Sequence, residues 1–129
     1  MYFDCLMDYI AGLNILPKAH FTDGTECDAI FLMNKPQEVT AETFIVIRFN
    51  RLDGGSAVKH YAVEIGVHAP DFLTMIDTKD ALIEALNFYN RPCELEHIAK
   101  FVFSNEGGIY DDEKTDTKID KLYFDCKYL

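Results

Sequence analysis

Two neighbouring stretches alternate with a period of two, and together they commit the chain to an antiparallel sheet. From Ala57 to His68, Tyr61, Val63, Ile65 and Val67 fall on one face, and His60, Ala62, Glu64, Gly66 and His68 on the other. Thr43 to Asn50 sets Ile45, Ile47 and Phe49 against Phe44, Val46 and Arg48. Both faces of that second stretch are largely apolar, which predicts a central strand. Asp53-Gly54-Gly55-Ser56 between them is a turn signal, so the pair reads as a hairpin.

The rest of the chain supplies two helices and more strands. Residues 2–16 carry Phe3, Leu6, Ile10 and Leu13 at helical spacing, ended by Pro17. Residues 18–28 read as a loop with an Asp23-Gly24 turn, Ala29 to Met33 as a short strand, and 35–42 as polar linker. From Asp71, a candidate N-cap, a second helix runs toward Asn90-Arg91-Pro92. Its stripe is Phe72, Met75, Leu82, Leu86 and Tyr89, and Lys79 is the single polar interruption. His97 to Phe103 and Ile119 to Leu129 alternate as a final pair of strands. Leu122, Phe124, Cys126 and Tyr128 share one face of the second, opposite Lys121, Tyr123, Asp125 and Lys127. The order contains no βαβ rhythm and no repeat. It predicts one α+β domain over 1–129, with a mainly antiparallel sheet, two helices on one face and a long-looped C-terminal hairpin.

The connection in that last hairpin, Ser104 to Lys118, is polar, charged and much longer than the about two to five residues a hairpin needs. It holds Glu106, Gly107, Gly108, Tyr110, Asp111, Asp112, Glu113, Lys114, Asp116 and Lys118. With no catalytic group among them, contact with another chain is the use this loop suggests.

Composition narrows the function classes. A chain of 129 residues, 49% apolar, can bury one ordinary core. Its net charge of −10 argues against binding nucleic acid through phosphate neutralisation. It does not exclude a surface that repels DNA, for instance the wall of a channel that DNA slides through. Asp4 and Asp8 interrupt the opening apolar run, unlike a signal peptide, and no apolar stretch reaches the roughly 20 residues of a membrane span. Cys5, Cys27, Cys93 and Cys126 lack metal or redox spacing and read as reduced thiols.

Motifs of catalysis are missing from the sequence. Ser56 and Ser104 lie outside any nucleophile elbow, and Gly107-Gly108 precedes no helix that could cradle phosphate. His60 and His68 share a strand face but stand several steps of about 7 Å apart, too far to hold one metal between them. His20 with Asp23, Glu26, Cys27 and Asp28 matches no metal spacing. The expectation is a non-enzyme without cofactor, metal or catalytic residues.

The order of elements resembles the tail terminator proteins of tailed bacteriophages, a family that overlaps with tail completion and minor capsid proteins. The likeness is sharpest over Ala81-Leu82-Ile83-Glu84-Ala85-Leu86, the strand after it, Glu106-Gly107-Gly108, the acidic Asp111-Asp112-Glu113-Lys114 and the closing strand. The chain departs from the family in having Gly108 where proline is common, and Thr115-Asp116-Thr117 where glycine and arginine are common.

The resemblance implies a structural virion protein, assembled in the host bacterial cytoplasm and placed at the head–tail junction. There it would form a ring, usually a hexamer, that caps the tail tube and ends tail polymerisation. Its implied partners are copies of itself, the tail tube protein and the head–tail connector or neck protein. DNA would only pass through the lumen, and no membrane is involved. The loop 106–118 would be an acidic, glycine-hinged arm that orders against a neighbour. The alternatives are another neck or head-completion connector, a host interaction module, or a small α+β enzyme.

Overall fold

The computed structural model describes residues 4–52, 59–114 and 116–128. The period-two segments pair as expected. β5 (Phe44–Arg51) runs antiparallel to β6 (Lys59–Ala69), with Ile47 opposite Ile65. The turn expected at Asp53–Ser56 lies outside the described residues. β6 in turn pairs along its whole length with β9 (Thr117–Tyr128), Val63 facing Phe124. β7 (Ile98–Glu106) takes the far side of β9, and β3 (Ile30–Leu32) lies parallel to β5. The order across the sheet is β3-β5-β6-β9-β7.

Parity then decides what each face meets. Ile45, Ile47, Val63, Ile65, Leu122 and Phe124 are buried beneath both helices. α1 (Asp4–Gly12) contributes Leu6 and Ile10 to this core, and α2 (Phe72–Leu86) contributes Met75, Leu82 and Leu86. The fold is α+β, as the sequence predicted, with the helices on one face. The aromatic centre is Phe124, stacked on Phe101 at 4.9 Å and edge-on to Phe103 at 5.6 Å.

Several boundaries differ from the sequence reading. α1 stops at Gly12 rather than at Pro17, and Asn14 takes a left-handed φ of 55° that no helix continues through. α2 stops at Leu86, where Asn87 caps the helix by donating its N–H to Ile83 O at 2.9 Å. Phe72 and Tyr89, assigned to the buried stripe, are exposed. The segments 18–28 and 35–42 are not plain loop. They form β1 (Ala19–Phe21), β2 (Glu26–Cys27) and β4 (Val39–Thr40), a small sheet of order β2-β1-β4. Ala19 and Val39 of that sheet bury Phe31, Phe44 and Val46, the apolar residues on the second face of β3 and β5. Both apolar faces of β5 are thereby used.

Elsewhere, among the described residues, no layer covers the second face of the main sheet. Arg48, Ala62, Glu64 and Tyr123 line an open depression there. His68, on the same face of β6, is stacked at 4.3 Å on Phe44. The free edge of β7 is closed where α2 ends. Phe88 donates its N–H to Phe101 O at 3.0 Å, and Phe103 donates its own to Asn87 Oδ1 at 3.1 Å.

Candidate functional site

The residues expected to form a projecting loop are mostly held in the sheet. β7 continues through Ser104 and Asn105 to Glu106, and Gly107 to Ile109 make a short step. β8 (Tyr110–Asp112) then pairs with the start of β9, Tyr110 against Ile119 and Asp112 against Thr117. β8 therefore follows β7 along the same edge of β9, ending at Asp112 where β9 begins at Thr117. The long arm is corrected to a short step followed by a paired strand. Asp111 pairs with Lys118 across this small ladder, and Asp112 Oδ1 accepts the N–H of Lys114 at 3.0 Å. Glu113, Lys114 and Asp116 form the exposed tip, and Tyr110 is 48% exposed beside it.

What holds the step is a buried polar cluster that sequence reasoning did not assemble. Lys79, on the core stripe of α2, places Nζ 3.2 Å from Asp120 Oδ2 and 2.7 Å from Glu106 Oε2. Asp120 is fully buried, and its Oδ1 accepts the N–H of Gly108 at 3.1 Å. Gly107 donates to Lys121 O at 2.9 Å. Gly108 has φ +95°, a conformation that only glycine adopts without strain, and this turns its N–H onto the carboxylate. One lysine and one aspartate thus fix the helix, β9 and the β7–β8 step to one another.

A β-bulge makes the cluster possible. The register of β7 on β9 shifts between Phe103 and Asn105, so Glu106 faces Leu122 instead of the open side. Without the extra residue Glu106 would point away from Lys79. This is the usual work of a bulge: re-aiming a side chain at the end of a pairing.

Electrostatics follow from burial and contact. Burial raises the Asp120 carboxyl above the ordinary value. The hydrogen bond from Lys79 pulls it down, and the nearby Glu106 pushes it up again. Glu106 moves the other way, lowered chiefly by its hydrogen bond from Lys79. For Lys79 burial acts to lower the ammonium, but its two carboxylate partners outweigh that, and it lies above the usual lysine value. The cluster is an ion-paired strut.

Two signals for this strut stood in the sequence. Lys79 was the lone polar residue of an apolar stripe, and Asp120 keeps the parity of the buried Leu122 and Phe124. The other residues weighed for chemistry stay apart. His60 lies 3.9 Å from Asp125, His20 lies 3.6 Å from Glu26, and Asp28 is held by Lys18 at 2.5 Å. Among the described residues no group of three or more His, Cys, Asp or Glu could hold a metal ion. The four cysteines are thiols, not disulfides, and Cys5 Sγ lies 3.8 Å from the Tyr128 hydroxyl. No described helix is long and apolar enough to cross a membrane.

No known family model matches the chain, and no curated protein matches it. Its fold is similar to that of a chain in the solved virion of a native gene transfer agent (GTA) particle. The two are 18% identical, superpose with a TM-score of 0.59, and each is covered over 78% of its length.

Proposed function

We propose that this chain is a structural protein of a phage-like virion and acts as its tail terminator. In this reading a ring of copies, six in the usual arrangement, caps the tail tube, ends its polymerisation and offers the surface that the neck of the head joins. The protein works by binding and not by catalysis. One observation carries the proposal: the fold is shared, over most of both chains, with a component of a gene transfer agent virion. The strutted β7–β8 step adds to it. It presents an acidic tip on a rigid base, a geometry suited to a repeated protein contact.

The virion likeness suits a neck or head-completion connector as well, and tail length separates the two. Electron microscopy of particles made without this protein should show tails of irregular, excessive length, without heads. Normal-length tails that merely lack heads would assign the chain to the connector. Intact particles would remove it from virion assembly altogether.

A further inference from the structure

The open sheet face carries a second feature that the tail-terminator reading does not explain. Lys127 of β9 has His60 directly opposite on β6 and Lys100 directly opposite on β7. Three basic side chains therefore stand in one row across three strands, spanning about 10 Å at the ordinary strand spacing. Like charges placed directly across a ladder destabilise it. Among the described residues, no carboxylate lies within 4 Å of the ammonium of Lys100 or Lys127. Of the acids on this face, Glu64 is engaged by Arg48 at 3.2 Å, and Asp125 stands beside the row, 3.9 Å from His60.

The row is also built by an irregularity. The register of β7 on β9 shifts between Ile98 and Lys100. In a regular ladder Ala99 would face Lys127, and Lys100 would point toward the helices. The bulge turns Lys100 out to the open face, beside the charge it repels. An anionic group over the row would relieve that repulsion.

The chain offers a matching group of its own at the other end of the same strand. The tip at 112–116 holds Asp112, Glu113 and Asp116 against Lys114, while Lys118 is engaged by Asp111. β9 is 12 residues long, so the tip and the basic row are separated by roughly 35 Å and cannot meet within one molecule. Between two molecules they can. A contact of one surface with a different surface is head-to-tail, and it closes into a ring when the rotation closes.

We propose that the His60–Lys127–Lys100 row of one copy receives the acidic tip of a second copy, Asp112, Glu113 and Asp116. This rests on the ring reading above and names the two surfaces that would make the ring. The strut at Lys79 and Asp120 then holds the tip at a fixed distance from the row on its own chain, which sets the step from one copy to the next.

The test is a charge exchange on the full-length chain, followed by sedimentation velocity at low salt. K100E/K127E and D112K/E113K should each weaken self-association at least about tenfold, with unchanged circular dichroism. Mixing the two variants should restore association, because each then presents the surface that the other lacks. Added salt should weaken the wild-type assembly. Self-association that persists in both variants, or a mixture that stays apart, overturns the proposal. So does a wild-type chain that remains monomeric at the highest soluble concentration. If K100E/K127E instead loses binding to duplex DNA while its assembly is intact, the row serves phosphates, and the proposal is likewise wrong. None of these outcomes alters the tail-length experiment, so the two readings fail separately.

Discussion

Lys79 Nζ lies 3.2 Å from Asp120 Oδ2, an ion pair joining residues 41 positions apart at the margin of an otherwise apolar core. Removing one partner leaves a charge buried without its counterion, the costly way to break such a pair. Lys79→Met should therefore lower stability by about 3 kcal/mol, read from urea unfolding. Adding Asp120→Asn, which keeps an oxygen for the Gly108 N–H, should recover at least half of that. A double variant no better than the single would show that the pair contributes nothing beyond its separate parts.

Gly107 and Gly108 are adjacent but not equivalent. A Cβ at Gly107 would meet Lys121 O at 3.8 Å, an ordinary contact, whereas Gly108 has open space but φ +95°. Gly108→Ala should cost about 1 kcal/mol from backbone strain alone, and Gly107→Ala less than about half of that. Equal urea midpoints for the two variants would contradict the turn described here.

The two faces of β9 should respond very differently to truncation. Leu122 is fully buried under α2, and Lys127 is exposed on the open face. Leu122→Ala should cost about 3 kcal/mol. Lys127→Ala should change monomer stability by no more than about 0.5 kcal/mol. A reversed order would mean that the register of β9 is shifted by one residue.

His68 gives the fold a pH dependence. Burial against Phe44 lowers its pKa from 6.5 to about 4. The folded state keeps the imidazole neutral where the unfolded chain already binds a proton. Stability is therefore lost as pH falls from 6.5 toward 4, and this residue adds no further loss below that. His68→Phe keeps an aromatic ring on Phe44 and should flatten that part of the acid unfolding curve. An identical slope in the variant would show that His68 is hydrated in the folded protein.

Cys126 is fully buried, and burial pushes its thiol up to about 12. It should resist alkylation at neutral pH until the chain unfolds, while the half-buried Cys5, Cys27 and Cys93 react sooner. Mass spectrometry after a timed iodoacetamide pulse reads the order directly.

The sheet was legible because alternation is a local property. Tyr61, Val63, Ile65 and Val67 announce their face without knowing their partners. The small sheet β2-β1-β4 was not legible, because strands of two and three residues are too short to show a period. Their pairing depends on Phe31 and Phe44 needing cover, which only the assembled sheet reveals. The stretch 106–118 was half legible. Its polarity and charge were plain, but a polar stretch of this length reads as loop whether or not it is hydrogen-bonded to a neighbour. The two bulges in β7 were beyond reach, since one extra residue leaves no mark on the sequence and yet decides where Lys100 and Glu106 point.

The seal on β7 bears on how copies of this chain can associate. With Asn87 and Phe88 already bonded to Phe103 and Phe101, the backbone of β7 at those two residues is not available to an incoming strand. Strand addition along this edge is hindered where α2 ends.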